Sequence, residues 1–245
     1  MVRRARLDAE LVHAGRVKVA GATATKPATA VEPGTPVLVE AHSGDPGYAS
    51  RGGHKLAGAL DELPVPVEGR RVLDAGASTG GFTDVLLRRG AREVVAVDVG
   101  YGQLAWQLRT DPRVVVHDRT NVRELTPEQI GGPVQLTVAD LSFIPLTLVL
   151  PALAACTDED LLPMVKPQFE VGRERVGAKG VVRDPALRAE AIRTVADRAY
   201  ELGLGVNGMA RSPLPGPAGN VEFFLWLRRD APPVDPAEIE KVVDE

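Results

Sequence analysis

Segments rich in apolar and β-branched residues alternate with segments of helical spacing along most of the chain, and this alternation limits the fold more than any other feature. Strands are predicted over 71–74, 93–98, 114–117, 134–140 and 161–166, and helices over 81–89, 103–109 and 185–202. This order is typical of a parallel sheet covered by helices. Two further strands, over 205–211 and 221–227, are joined by a Pro/Gly-rich turn without a helix, so they should pair antiparallel at one edge. We therefore predict an α/β domain with a seven-stranded sheet whose last strand is antiparallel.

Gly and Pro residues divide the chain into four predicted parts. Residues 1–42 resemble a small α+β domain, with a helix over 7–12 and short strands over 16–20 and 36–40. Residues 43–49 form a linker, 50–230 form the sheet domain, and 231–245 form an acidic tail. A length of 245 residues allows one α/β domain of roughly 180–200 residues with such an appendage.

Cysteine content and hydropathy indicate the compartment. The single cysteine, Cys156, excludes an intrachain disulfide and is typical of a reducing cytoplasm. The basic N-terminus has no apolar core of the kind that secretory signal peptides have. The most apolar run, 143–156, is short and broken by two prolines, whereas a bilayer span needs about 20 apolar residues. We expect a cytoplasmic protein without a membrane partner.

Charge is distributed unevenly, although the net charge of −4 does not itself indicate nucleic-acid binding. Residues 1–60 carry 8 Lys/Arg against 5 Asp/Glu, so the positive excess is N-terminal. A phosphate-binding surface there is one interpretation, and an ordinary solvated surface is the other.

A glycine loop follows the first predicted strand, in the segment VLDAGASTGGF over 72–82. Glycines between a strand and a helix let the backbone approach a nucleotide-like ligand. The dinucleotide fingerprint requires a glycine two residues after Gly76, where this chain has Ser78. The arrangement D-x-G-x-x-x-G-G instead resembles motif I of class I methyltransferases, in which the loop holds the methionine end of S-adenosylmethionine. Asp98 ends the second strand, 22 residues after Gly76, where a carboxylate can bind both ribose hydroxyls.

Four more polar residues are placed where a sheet of this kind would bring them together. Asp140 and Lys166 end two parallel strands, and ligands of open α/β sheets bind outside those carboxyl ends. Lys55 precedes the first strand of the domain, and Glu222 begins the antiparallel last strand. Because an antiparallel strand starts at the edge where the parallel strands end, two lysines and two carboxylates are expected to converge.

Six ordered segments resemble the TlyA family of rRNA ribose 2′-O-methyltransferases: SRGGHKL, LDAGASTGGFT, DVGYGQLAW, ADLSFI, VKPQFEVG and GNVEFFLWL. The match runs from Arg3 to Arg229. The resemblance implies an S4-like RNA-binding domain, an FtsJ-like (Rossmann-like, class I) catalytic domain, S-adenosylmethionine as cofactor and ribosomal subunits as partners. It implies cytidine as the modified nucleoside. The Lys-Asp-Lys-Glu tetrad of FtsJ-like enzymes falls on Lys55, Asp140, Lys166 and Glu222.

The tetrad suits the chemistry that the resemblance implies. A ribose hydroxyl is a poor nucleophile, and methyl transfer from a sulfonium is an in-line displacement, so the site must align the oxygen and accept its proton. A lysine serves as base only if its pKa is lowered, which a second cation and partial desolvation can achieve. We assign Lys166 to the hydroxyl, Asp140 to the orientation of Lys166, and Lys55 and Glu222 to substrate positioning and charge.

The remaining site predictions are less specific. Predicted cofactor contacts are Asp74, Gly76, Ser78, Thr79, Gly80, Gly81, Phe82, Asp98, Val99, Asp118, Asn121, Asp140 and Phe143. Either Asp118 or Asn121 contacts the adenine, and a plain loop position is equally compatible. For Phe143, packing in the core is the favoured interpretation, and contact with the cofactor or a target base is the other. Tyr101 and Trp106 are interpreted as residues of the core or of the pocket wall. The four histidines lack metal-ligand spacing, so no metal is expected.

Predicted RNA contacts are Arg3, Arg4, Arg6, Arg16, Lys18, Arg119 and Arg123. For Arg119 and Arg123 a solvated loop is the other interpretation. Because aromatic residues make up only 4% of the chain, RNA recognition should depend on shape and backbone contacts. S4-like domains carry a second basic helix before their G-x-V-x-V-x-G strand, but here Val12 runs directly into HAGRVKVAG. Either that helix is deleted, or residues are missing from the sequence, in which case the Val12–His13 Cα separation should exceed 3.8 Å.

Three other functions remain compatible with the sequence. The chain could be an RNA-binding ribosome-assembly protein with a non-catalytic methyltransferase fold, which the intact tetrad disfavours. It could methylate a small molecule if the N-terminal domain is vestigial. It could be membrane-active, since members of the TlyA family have been called haemolysins, but no span or long amphipathic basic helix supports this. The sequence does not indicate the oligomeric state.

Overall fold

The computed structural model describes residues 11–12, 15–29, 31, 34–39, 46–177 and 180–244, and it divides into two compact units, Met1–Gly47 and Tyr48–Glu245. The boundary falls within the linker predicted at 43–49. Arg3, Arg4, Arg6 and the Val12–His13 junction lie outside the described residues.

The first unit contains a three-stranded antiparallel sheet of order β2-β1-β3, formed by β1 (Val17–Val19), β2 (Ala22–Thr23) and β3 (Val37–Val39). β1 and β3 lie within the strands predicted at 16–20 and 36–40. Among the described residues of this unit, Val12, Val17 and Ala24 form a buried cluster. Lys18 lies on β1, and Arg16 directly precedes it.

The second unit is a seven-stranded sheet of order β6-β5-β4-β7-β8-β10-β9. Its strands are β4 (Arg71–Ala75), β5 (Glu93–Val97), β6 (Val114–His117), β7 (Val134–Ala139), β8 (Thr157–Val165), β9 (Leu204–Arg211) and β10 (Phe223–Arg229). β4 to β8 pair in parallel, whereas β10 pairs antiparallel with both β8 and β9. The predicted sheet and its antiparallel last strand are confirmed.

Alternating side chains of the central strands enter two different cores, which is why helices cover both faces. Leu73 and Val95 point into one core, and Val72 and Val94 point into the other. The helices of the second unit are α1 (Gly52–Glu62), α2 (Gly81–Arg88), α3 (Trp106–Arg109), α4 (Leu146–Ala155), α5 (Pro167–Glu170), α6 (Pro185–Glu201) and α7 (Pro236–Asp244). The first core packs against α4, α6 and α7, and the second against α1 to α3.

Two elements differ from the sequence prediction, the segment around Lys55 and the apolar segment before β8. Lys55 was expected merely to precede the first strand, but it lies on helix α1, whose Leu56 and Leu60 are buried one turn apart. The apolar segment before β8 forms helix α4 despite Pro151 in its interior. The acidic tail includes helix α7, which buries Ile239, Val242 and Val243 in the first core. Across the described ranges, the structure has no helix with the length and apolar character needed to cross a membrane.

Candidate active site

The glycine loop brings strand β4 close to the end of strand β7. Gly76 has φ +88°, and a Cβ atom at this position would lie 2.5 Å from the backbone oxygen of Asp140. The next glycines serve helix packing: a Cβ at Gly80 would collide with Leu108, and one at Gly81 would collide with Ser50 of the α1 N-terminus. The loop thus leaves no room for side chains on the side where β7 and α1 approach.

The four predicted tetrad residues form two ion pairs, in which Lys55, Lys166 and Glu222 are buried and Asp140 is half-buried. Lys55 Nζ lies 2.5 Å from Glu222 Oε2, and Lys166 Nζ lies 2.6 Å from Asp140 Oδ1. The register explains the meeting, because Phe223 at the start of β10 pairs with Val165 at the end of β8. Lys55, Asp140 and Lys166 line a cavity of about 280 Å³, which we call the catalytic cavity. Buried charges of this kind are tolerated only when they are paired, as they are here.

Ser142 is a site residue that the sequence did not reveal. Its Oγ accepts a hydrogen bond from Lys166 Nζ at 2.9 Å, so this ammonium has two oxygen partners. The only available signal was its place two residues after Asp140 in ADLSF. Pro215 and Pro217, from the turn between β9 and β10, also line the catalytic cavity, as does Arg51, whose Nη2 donates to the Pro215 carbonyl at 3.4 Å.

A second cavity of about 500 Å³, the cofactor cavity, lies along the ends of β4, β5 and β7. It shares Gly76, Ser78, Asp140 and Ser142 with the catalytic cavity, so the two are contiguous. Among the predicted contacts, Gly76, Ser78, Asp98, Val99, Asn121, Asp140 and Phe143 line it. Gly81 and Phe82 line the catalytic cavity instead. Gln103, which was not predicted, contributes a further polar side chain.

Asp98 is held rigidly at the cofactor cavity. Its Oδ2 accepts from the Ser78 amide at 2.9 Å, and its Oδ1 accepts from the Gly100 amide at 2.7 Å. Each carboxylate oxygen has a second lone pair, so capacity remains for ribose hydroxyls. Asp140 Oδ1 is paired with Lys166, and its carboxylate also lines this cavity, where it can accept a hydrogen bond from a ligand. The residues present therefore fit S-adenosylmethionine.

Asp118 and Asn121 lie in different surroundings. Asn121 and its neighbour Val122 line the cofactor cavity. Asp118 is not among the lining residues; it pairs with Arg109 at 2.9 Å, and this hydrogen bond lowers the pKa of its carboxyl. Thr79 and Gly80 are likewise absent from both cavity linings.

Asp74 lies behind the glycine loop rather than in a cavity wall. It is fully buried, and Thr83 Oγ1 donates a 2.6 Å hydrogen bond to its Oδ2. Its Oδ1 has no hydrogen-bond partner among the described residues. Burial raises the pKa of Asp74 to about 7; the Thr83 hydrogen bond opposes this rise, and the nearby charges of Asp140 and Asp98 add to it.

Aromatic residues near the site are more exposed than predicted. The predicted core packing of Phe143 is wrong: the residue is 91% exposed and has φ +66°. Its ring contacts the Phe169 ring at a tilt of 51°, with ring centroids 5.3 Å apart. Tyr101 and Trp106 are 67% and 77% exposed, so neither belongs to the core. The guanidinium of Arg119 lies 4.2 Å from the Tyr101 ring centroid. Arg119 and Arg123 are both exposed, as an RNA contact requires.

The sheet order, the glycine loop and the acid that ends the second strand define a class I methyltransferase, and comparisons with known proteins identify its family. The family model for FtsJ-like methyltransferases matches residues 48–229. The 16S/23S rRNA (cytidine-2′-O)-methyltransferase TlyA of Mycobacterium tuberculosis is 59% identical over 245 residues, covering 93% of this chain and 91% of that one. Hemolysin A of Brachyspira hyodysenteriae is 37% identical over 180 residues, covering 72% and 75%.

A solved structure from Streptococcus thermophilus, described as a "putative hemolysin", superposes with a TM-score of 0.84 at 40% identity, covering 96% of this chain and 87% of that one. The chain belongs to the FtsJ-like methyltransferase family, in the TlyA group. The predicted family, enzyme class and S-adenosylmethionine cofactor are thereby confirmed.

Proposed function

We propose that this enzyme methylates the ribose 2′-hydroxyl of cytidine in ribosomal RNA within ribosomal subunits. The observation that carries the proposal is the position of Lys166. Its Nζ contacts Asp140 and Ser142, and both of these residues line the catalytic cavity and the cofactor cavity. The substrate class follows the M. tuberculosis relative, which is named for rRNA cytidine-2′-O methylation and is 59% identical. A ribosomal substrate also implies action in the cytoplasm.

Each tetrad residue has a role in this proposal. When bound, S-adenosylmethionine supplies an electrophilic methyl group on a sulfonium sulfur. Lys166 faces the hydroxyl from the catalytic cavity, and its unprotonated form accepts the hydroxyl proton as the oxygen–carbon bond forms. Asp140 and Ser142 fix the position of its Nζ. Precise placement matters because a displacement of 1 Å can cost about a hundredfold in rate.

The second ion pair supplies charge at the same cavity. Lys55 lines it, and Glu222 holds Lys55 at 2.5 Å from a fully buried position. A cation fixed near the reacting oxygen stabilises the negative charge that develops there, and it does so without reorganisation. Glu222 does not line the cavity, so its role is to position Lys55.

RNA binding is assigned to basic residues of each unit, of which Arg119 and Arg123 are exposed and Arg16 and Lys18 are half-buried. Arg119, stacked on Tyr101, and Arg123 flank Asn121 of the cofactor cavity. Arg16 and Lys18 belong to the first unit. Phosphate contacts of this kind orient an RNA without reading its sequence.

Transfer of tritiated methyl groups tests the proposal, with purified ribosomal subunits, free rRNA and small acceptors as substrates. We expect wild-type transfer to subunits, with the label on a cytidine 2′-oxygen. Lys166→Ala should lose at least about a hundredfold in rate while cofactor affinity stays within a few-fold. Lys166→Arg, which keeps the charge but cannot release its proton, should be equally inactive.

The exposed Lys241 on α7 provides a matched control, and Lys241→Ala should keep wild-type turnover. Turnover retained by Lys166→Ala would refute the role of Lys166. RNA binding without transfer by the wild type would identify an assembly protein, and transfer to small acceptors alone would refute the ribosomal substrate.

A further inference from the structure

The two segments that carry Asp140 and Lys166 are joined at a point beyond the ion pair itself. Asp140 and Ser142 precede helix α4, and Lys166 precedes the one-turn helix α5. Glu170 ends α5, and its Oε1 accepts a 2.8 Å hydrogen bond from the backbone amide of Leu146, the first residue of α4. Glu170, which follows Lys166 in one segment, therefore holds Leu146, which follows Asp140 and Ser142 in the other.

Glu170 takes the place of a missing cap on α4. The residue before this helix is Pro145, which has no side-chain oxygen and makes no capping hydrogen bond. The first-turn amides of a helix need such an acceptor, and a carboxylate also interacts favourably with the positive end of the helix dipole. Burial raises the pKa of Glu170 to about 7, partly offset by the Leu146 hydrogen bond. A carboxyl kept at such a cost is more typical of functional positions than of structural ones.

The loop between Asp140 and α4 is held in an unfavourable conformation. Phe143 has φ +66°, a region that bulky residues rarely adopt and that persists only when surrounding contacts enforce it. Contacts from the Lys166 segment supply that enforcement at three places: Lys166 with Ser142, the Phe169 ring with the Phe143 ring, and Glu170 with Leu146. The Glu170 contact is the one that anchors the loop to a regular element.

We propose that Glu170 is a positioning residue for methyl transfer, which fixes the loop 141–145 so that Asp140 and Ser142 hold Lys166 in place. This inference rests on the proposed function, because Glu170 acts through Lys166. Without Glu170 the loop can relax at Phe143, and Lys166 Nζ loses its fixed partners. The cofactor cavity keeps Asp98 and Asn121, but Phe143 of the loop also lines it, so cofactor binding weakens as well, though less than the rate.

Steady-state kinetics of Glu170→Ala and Glu170→Gln on ribosomal subunits test this role. We expect Glu170→Ala to lower kcat roughly tenfold to a hundredfold, with a smaller rise in the KM for S-adenosylmethionine, because loop 141–145 also lines the cofactor cavity. Glu170→Gln keeps the acceptor oxygen and should restore kcat to within about threefold. If Glu170→Ala does not fold, Glu170→Asp is measured instead, since its carboxylate is one methylene too short to reach Leu146.

Asp184 provides the matched control because it also caps a helix, accepting a 2.9 Å hydrogen bond from the Ala186 amide at the start of α6. Asp184→Ala should lower the Tm about as much as Glu170→Ala and leave kcat unchanged. Equal losses of kcat in both variants, or wild-type kcat in Glu170→Ala, would overturn the proposal.

Amide hydrogen exchange over 141–146 gives a readout that needs no substrate. Faster exchange there in Glu170→Ala than in the wild type supports the positioning role, and unchanged exchange refutes it. If the wild type transfers no methyl group to rRNA, the proposed function fails while this exchange result still decides whether Glu170 fixes the loop.

Discussion

Replacing Asp74 by asparagine should make the unfolding free energy less sensitive to pH. The carboxyl is fully buried, one of its oxygens has no partner among the described residues, and its pKa is raised from 3.8 to about 7. Asparagine has nearly the same shape and can still accept the hydrogen bond from Thr83, but it carries no charge. The comparison therefore isolates the ionisation of one group.

The sign and size follow from proton linkage. Because the pKa of Asp74 is higher in the folded state than in the unfolded state, the folded protein binds more protons between about pH 4 and 7. The associated stability is complete below pH 4 and is lost as the pH rises through 7. A pKa raised from 3.8 to about 7 corresponds to ~4 kcal/mol in total, of which ~3 kcal/mol is lost between pH 5 and 8.

Equilibrium urea unfolding of both proteins at pH 5, 6, 7 and 8, at constant ionic strength and without cofactor, measures this. Relative to the wild type, Asp74→Asn should gain ~3 kcal/mol between pH 5 and 8. Thr83→Val removes the hydrogen bond that lowers the pKa of Asp74, so this pKa rises further. The unfolding free energy of this variant should therefore continue to fall with pH up to a higher pH than that of the wild type. A difference between wild type and Asp74→Asn that stays constant across this range would refute the reasoning.

Two further predictions concern the cofactor cavity. Gly76→Ala places a methyl group against the Asp140 carbonyl, at a residue with left-handed φ. The variant should bind S-adenosylmethionine about tenfold more weakly by calorimetry and have a lower Tm. Unchanged binding would contradict the close approach of Gly76 to Asp140. Asn121→Ala should weaken the same binding about tenfold, whereas Asp118→Ala, which breaks only the Arg109 pair, should change it less than about twofold; the reverse order would exchange their roles.

The sequence was sufficient to predict where the tetrad residues converge. Asp140 and Lys166 follow parallel strands, whose carboxyl ends share one edge, and Glu222 starts an antiparallel strand at that edge. Lys55 was placed only as far as the segment before the first strand, because α1 opens with Gly52 and Gly53 and no capping side chain, so its start carries no helix signal.

Features that depend on loop conformation could not be predicted. Apolar residue type suggested burial for Phe143 and Trp106, but positive φ at Phe143 turns its side chain outward. Between Asp118 and Asn121, which lines the cavity, the chain adopts φ +55° at Arg119. Residue propensities contain no information on such isolated left-handed positions.

The position of β10 in the sheet determines when the enzyme can become active during its synthesis. This strand is the last of the sheet to leave the ribosome, yet it lies between β8 and β9 rather than at the rim. Until it inserts, β8 presents unpaired backbone groups along its length, and Lys55 lacks the carboxylate that holds it. A nascent chain can therefore form the glycine loop early, but the tetrad closes only when synthesis of the domain is almost complete.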